Sequence, residues 1–181
     1  MNTAPLPSQD FCLIRHGETT ANADAIIAGV TDVPLTQLGR DQARALSQRT
    51  WSKQIAIYAS PMSRAQDTAR LAFAGQHFKL HSGLRERDWG VFEGRPLTEQ
   101  PLREDTPDQG ESWSDMIMRV QAAITQICTT SQGKIPILVC HSGIIRAARV
   151  LWTTGDAGQR PPNATPIIFQ RTGTKMMEKN L

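Results

Sequence analysis

FCLIRHGETTAN, residues 11–22, decides how this chain is read. Phe11 to Arg15 form a short run of buried-strand character, and a polar, glycine-containing stretch follows at once, so a strand runs into a loop. The same pattern recurs further on. IAIYAS at 55–60 is closed by Pro61, and IPILVC at 135–140 leads into His141-Ser142-Gly143. The last run is continuous and apolar, as a parallel strand covered on both faces should be. Helix-like segments separate these runs. The expectation is an α/β domain with three layers, a mostly parallel central sheet flanked by helices. Ligands of such sheets lie beyond the carboxyl ends of the strands. The first strand brings Arg15, His16 and Gly17 to that edge. The second brings Ser60 and leads to Arg64, and the IPILVC strand brings His141 and Ser142. Two histidines and two arginines from separate segments should therefore meet.

The remaining segments fill in around this frame. Pro34-Leu35-Thr36 supplies an N-cap for a helix over 37–50, and Pro61 reads as the first residue of a helix to about Ala74. FKLH at 78–81 is a weak strand. Residues 82–110 hold Gly83, Gly90, Gly94, Gly110 and three prolines, and an irregular stretch of that length is usually functional or mobile. Ser112 caps an amphipathic helix whose Trp113, Met116, Ile117, Val120, Ile124 and Ile127 fall at helical spacing, which reads as core. A helix from about Ile144 to Trp152 and a final strand, TPIIFQ at 165–170, complete the pattern. Residues 1–9 read as a flexible tail and 10–181 as a single domain.

Bulk properties narrow the class. The chain has 181 residues, enough to bury a core without disulfides or metals. Twenty Lys and Arg against 17 Asp and Glu leave a net charge of +3, too mild to argue for a nucleic-acid partner. Three cysteines (Cys12, Cys128 and Cys140), odd in number and without a C-x-x-C pair, indicate neither a disulfide framework nor a zinc ribbon. The N-terminus lacks a basic and an apolar signal region, and no apolar run approaches the ~18 residues of a membrane helix. A soluble, cytoplasmic protein without a membrane partner is expected.

The converging residues suit phosphoryl transfer. A neutral imidazole is a competent nucleophile near pH 7. A phosphoryl group in transfer needs cations and N–H donors already in place. Arg15 and Arg64 can grip its oxygens bidentately. His141 can donate to it, Asn22 can offer an amide N–H, and Gly17 permits close backbone approach. Glu86, at the head of the glycine-rich stretch, can protonate the leaving oxygen and then activate water. No acidic cluster supports Mg²⁺ and no G-x-x-x-x-G-K-[ST] supports ATP, so no metal and no cofactor are expected. Taken singly, each residue has a plainer reading. His141 would be a structural histidine, Arg64 a surface arginine, and Glu86 part of a solvated charge run with Arg85, Arg87 and Asp88.

Several segments, in order, carry a resemblance. LIRHGETTAN (13–22), GVTDVPLTQLGRDQA (29–43), ASPMSRAQDTA (59–69), LRERDWGVFEG (84–94), GES (110–112) and VCHSG (139–143) resemble the histidine phosphatase superfamily, whose fold is shared by the cofactor-dependent phosphoglycerate mutases. The resemblance spans about residues 11–170. It implies a phosphoglycerate mutase-like fold, His16 as the phosphorylated nucleophile, Arg15, Arg64 and His141 around the phosphate with Asn22 assisting, and Glu86 as proton donor. It also implies that backbone near Gly29 and Ser142 faces the phosphate. Ala21 stands where the family often has an aromatic residue and Ser142 where it often has glycine. Neither removes a catalytic group.

Two reactions share the first step. The family's mutases are longer and carry insertions that close over the substrate, whereas here 54 residues separate Glu86 from His141. The phosphatase branch is therefore favoured: hydrolysis of a small phosphomonoester, of the sugar-phosphate or α-ribazole phosphate type. Mutase-type transfer and a non-catalytic phospho-ligand module are the alternatives. Residues 95–110 should set substrate choice, and their mixed charges name no substrate.

Overall fold

The computed structural model describes residues 4–51, 54–131 and 133–180. Six strands, β1 (Phe11–Arg15), β2 (Ile55–Ala59), β3 (Phe78–Leu80), β4 (Ile135–Cys140), β5 (Pro166–Thr172) and β6 (Lys175–Asn180), form one sheet in the order β3-β2-β4-β1-β5-β6. β3, β2, β4 and β1 are parallel neighbours, while β5 runs antiparallel to β1 and β6 antiparallel to β5. The sheet is thus mixed, and its parallel part holds the strands that the apolar runs mark out. β6 is an addition to the sequence reading: KMMEKN has no apolar run and is held by its ladder to β5.

Strand alternation builds the layers. Phe11 and Leu13 of β1 and Leu138 and Cys140 of β4 point into one core, against α4 (Trp113–Thr130) and α5 (Ser142–Trp152). Cys12 and Ile14 of β1 and Ile137 and Val139 of β4 point into the other, against α3 (Ser63–Ala72). After the one-turn helix α1 (Thr20–Ala23), α2 (Gln37–Ala45) packs on α3, and Leu46 just beyond it joins this second core. On α4, Met116, Val120, Ile124 and Ile127 are fully buried, each contributing about 1.5–3 kcal/mol of apolar burial. All three cysteines are buried and free.

Local chemistry starts the helices. Thr36 Oγ1 accepts from Gly39 N–H at 3.0 Å and Ser112 Oγ from Asp115 N–H at 3.0 Å, so both expected N-caps are in place. The helix after β2 begins at Ser63, two residues later than Pro61 suggested. The Asp32 carboxylate accepts from Ser63 N–H at 3.1 Å and from its hydroxyl at 2.8 Å, so a distant acid satisfies that terminus. The N-terminal segment also departs from expectation. Ala4 and Leu6 pack on the core, Trp152 Nε1 donates to Pro5 O at 3.0 Å, and Gln9 Nε2 donates to Cys128 O and Ser131 O. Residues 4–9 are a docked strap rather than a loose tail. Residues 1–3 and Leu181 of the expected tail and domain lie outside the described residues.

The irregular stretch 82–110 is pinned from inside. Arg87, 1 % exposed, donates to the carbonyls of Glu111, Arg103 and Asp105 at 2.9, 2.9 and 2.6 Å. Gly90 has φ +52°, and a Cβ there would run into Asp108 O, so this crossing needs glycine. The stretch is a structured wall, and it stands over the carboxyl ends of the parallel strands.

Candidate active site

A cavity of about 150 Å³ opens at that edge, with Arg15, His16, Asn22, Arg64, Glu86 and Ser142 among its lining. β1 ends in Arg15, α3 carries Arg64, and α5 begins with Ser142. His141, fully buried, places its ring centroid 5.2 Å from that of His16.

His16 is held ready as a base or nucleophile. Its Nδ1 lies 2.7 Å from Gly17 O, a carbonyl that can only accept, so the proton sits on Nδ1 and Nε2 keeps its lone pair. Burial, and then the positive charges of Arg64 and Arg15, hold its pKa well below the ordinary histidine value. The imidazole is therefore neutral through the physiological range. Asn163, which the sequence reading passed over, donates its Nδ2 to His16 O at 2.9 Å and to Asn22 Oδ1 at 3.2 Å. Asn22 Oδ1 also accepts from Thr19 N–H at 3.3 Å, so the acceptor end of that amide is occupied and its NH₂ end is the donor it offers the cavity.

Unpaired buried donors cluster here. Ser60 Oγ accepts from Met62 N–H and lies 2.8 Å from His141 Nε2. When the Ser60 hydroxyl donates to Nε2, the proton of His141 sits on Nδ1, which is buried and has no partner. Arg15 Nε is likewise buried and unpartnered, while its Nη1 donates to Pro161 O at 2.8 Å. Burial, with the positive charge of Arg160 beside it, pushes the Arg15 pKa down to about 10. Buried donors without acceptors are costly, and Arg15 Nε, joined in that tautomer by His141 Nδ1, marks a place for an anion beside the nucleophile.

Arg64 is used differently from the expectation. Its guanidinium donates to Gly29 O at 2.6 Å and Thr31 O at 2.9 Å, and lies 3.8 Å from Asp32. Gly29, expected to face a phosphate through its backbone, instead donates its N–H to the Glu93 carboxylate at 3.0 Å. Glu93 also accepts from Val30, Thr31 and Trp89 N–H groups. Residues 29–31 are thus clamped between a cation on their carbonyls and an anion on their N–H groups, and the clamp keeps Arg64 in the cavity wall. Lysine has one point charge for these acceptors. Arg64→Lys should lower kcat/KM at least about 10-fold, or ~1.4 kcal/mol of transition-state stabilisation, in steady-state assay of a phosphomonoester. Wild-type kinetics would remove Arg64 from the site.

Glu86 meets the start of α5. Its Oε2 accepts from Gly143 N–H at 3.0 Å and its Oε1 from Arg87 N–H at 2.9 Å. This carboxylate at a helix N-terminus is held by backbone on both oxygens. A Cβ on Gly143 would collide with Glu86 Oε1 and come within 2.7 Å of Met116 Cε. Gly143→Ala should therefore displace the carboxyl and reduce hydrolysis of an alkyl phosphate at least about 10-fold with the fold intact by circular dichroism. An unaffected rate would show that the carboxyl position does not matter. Trp113 and Met116, assigned to the core on spacing, do belong to it, Met116 fully buried and Trp113 packed against it, and both also line the cavity at the end of the α4 stripe.

Among the described residues no group of three or more His, Cys, Asp or Glu side chains is placed to hold a metal ion. Among them too, no helix is long and apolar enough to cross a membrane.

Comparison with known proteins bears on this geometry. The Histidine phosphatase superfamily (branch 1) matches residues 11–165. A probable phosphoglycerate mutase GpmB of Enterobacter sp. (strain 638) is 39% identical over 145 residues, covering 71% of this chain and 67% of its own. A metal-independent phosphoserine phosphatase of Arabidopsis thaliana is 29% identical over 176 residues, covering 86% of this chain and 74% of its own. The crystal structure of TTHB049 from Thermus thermophilus superposes with a TM-score of 0.77 at 30% identity, over 95% of this chain and 98% of that one. With a match across most of its length, and with the fold to go with it, this chain belongs to the histidine phosphatase superfamily.

Proposed function

We propose that the chain is a metal-independent phosphomonoesterase that works through a phosphohistidine on His16 and acts on a small phosphorylated metabolite. The observation that carries this is His16 itself: a neutral ring with its proton directed to Gly17 O, beside the unpartnered Arg15 Nε and His141 Nδ1. A phosphoryl group between these residues would accept both donors. His16 Nε2 attacks phosphorus, an N–P bond forms and the P–O ester bond breaks. Glu86 gives its proton to the departing alkoxide. Glu86 then takes a proton from water, which attacks phosphorus and releases inorganic phosphate and the free imidazole. Arg15 and Arg64 neutralise the equatorial oxygens in both halves.

The relatives bear two kinds of name, phosphoserine phosphatase and phosphoglycerate mutase. A mutase must hold its product and rephosphorylate it, and that is the second reading. The two separate in one experiment. Phosphate release from p-nitrophenyl phosphate, from O-phosphoserine and from 3-phosphoglycerate is measured beside 3-phosphoglycerate isomerisation. Phosphate release should dominate, and isomerisation outpacing it would overturn the phosphatase reading. Activity should also survive excess chelator, because guanidinium groups supply the positive charge. Loss on chelation with recovery on Mg²⁺ or Zn²⁺ would overturn the metal-independent mechanism.

A further inference from the structure

The cavity lining includes His16 and Asn22 but not Asn163, which touches both from outside it. The direction of every bond in this chain of contacts is forced. Thr19 N–H can only donate, so the Asn22 atom 3.3 Å from it is the amide oxygen. His16 O can only accept, so the Asn163 atom 2.9 Å from it is the amide nitrogen. That nitrogen carries a second proton, and Asn22 Oδ1 accepts it at 3.2 Å. Asn22 Oδ1 is thereby held from two sides, by Thr19 and by Asn163. Its NH₂ group is left to the cavity, and among the described residues it donates to no acceptor.

The segment that carries Asn163 is itself fixed against the catalytic turn. Pro161 O accepts from Arg15 Nη1 at 2.8 Å, and Ala164 N–H donates to Arg15 O at 2.9 Å. With Asn163 between them, residues 161–164 hold Arg15 and His16 through both side chain and main chain. Ala164 has φ +46°, in the left-handed region that disfavours a residue with a Cβ. Strain of this kind persists where surrounding contacts over-determine the conformation, and it gathers at functional sites.

We propose that Asn163 is a positioning residue for phosphoryl transfer: it turns the Asn22 amide so that the NH₂ group faces the phosphoryl oxygens, and it steadies the main chain at His16. The inference rests on the phosphomonoesterase reading for where the phosphoryl group lies. Asn163 acts through Asn22 and His16 and does not itself touch the substrate. A donor already aimed at the place where charge develops needs no reorganisation during the reaction. An amide free to flip would also present its oxygen there, which repels phosphate.

Asn163→Asp keeps the shape of the side chain and replaces its donor by an acceptor, which then faces two acceptors, His16 O and Asn22 Oδ1. The Asn22 amide flips to offer its NH₂ to the new carboxylate and withdraws it from the cavity. The chain has four asparagines, so labelling with ¹⁵N-asparagine gives four side-chain NH₂ signals in an NMR spectrum, and Asn22→Ala identifies one of them. In the wild-type protein, inorganic phosphate should shift the Asn22 signal. In Asn163→Asp, and in Asn163→Ala as a variant without new charge, saturating phosphate should move it less than about half as far. In kcat/KM for p-nitrophenyl phosphate, Asn163→Asp and Asn22→Ala should each cost at least about 10-fold, and the double variant at least about threefold less than the product of the two losses. Losses that simply multiply, an Asn22 signal unmoved by phosphate in the wild type, or one moved equally in both Asn163 variants would overturn the proposal. If the wild type releases no phosphate, the phosphatase reading falls, and the response of the Asn22 signal still decides the role of Asn163.

Discussion

Replacing His16 by alanine is expected to abolish a covalent phosphoenzyme and to lower turnover by at least about 10⁴-fold, the scale seen when a nucleophile is removed from an otherwise intact site. Rapid quench of the wild-type protein with ³²P-labelled substrate should trap label that is stable to base and labile to acid, as an N–P bond is. The argument is local. Gly17 O fixes the tautomer, and Nε2 is left as the one unprotonated nitrogen of the ring. The pKa of His16 is depressed in the folded protein by burial, Arg64 and Arg15, so the ring stays unprotonated as the pH falls through about 6.5, where a free histidine titrates. Labelling should consequently persist at pH 5.5 without the half-loss near 6.5 that an exposed imidazole would give. Label retained in His16→Ala would place the nucleophile elsewhere. A midpoint at 6.5 would contradict the buried, cation-flanked environment.

The second large effect belongs to Glu86 and depends on the leaving group. An alkyl phosphate expels a strongly basic alkoxide and needs the proton, whereas an aryl phosphate expels a stabilised phenolate and needs it less. Glu86→Gln should thus lower hydrolysis of an alkyl phosphate by about 10²–10⁴-fold and of p-nitrophenyl phosphate by an order of magnitude or less. Glutamine keeps the size of the side chain and an oxygen acceptor for one of the Gly143 and Arg87 N–H groups but turns an NH₂ donor towards the other; that structural cost falls on both substrates alike, so the excess loss on the alkyl phosphate reports proton transfer. Equal losses on both substrates would count against Glu86 as the acid. If Gly143→Ala gives the same leaving-group signature as Glu86→Gln, the position of the carboxyl and its proton act through one step.

Much of this site was legible because its parts lie at the ends of strongly apolar strands. FCLIR and IPILVC are buried on both faces, so their composition alone marks them, and the loop that must follow each one holds Arg15-His16 and His141-Ser142. The ordering of helices and strands then places those loops on one edge. Thr36 and Ser112 were legible for the same reason, since an N-cap is satisfied within three residues of itself.

What stayed hidden depends on partners far away in the chain. Arg64 finds Gly29 O and Thr31 O more than 30 residues off, and nothing around Arg64 announces that its fork holds a loop. Glu93 looked like one acid among several, yet it accepts four backbone N–H groups. Asn163 reaches His16 across 147 residues. β6 and the strap at residues 4–9 have weak intrinsic patterns and exist through β5 and α5. Local periodicity and strand-end position are written along the chain, and they suffice for the layered α/β frame, the candidate nucleophile and its second histidine, whereas Glu86 stood out through the glycine-rich stretch it heads and through the family resemblance. Folding had to be complete before two further points could be read: which nitrogen of His16 is free, and that Gly29 faces Glu93. Hydrogen-bond direction and charge balance are properties of groups brought together in space, and a linear pattern carries neither.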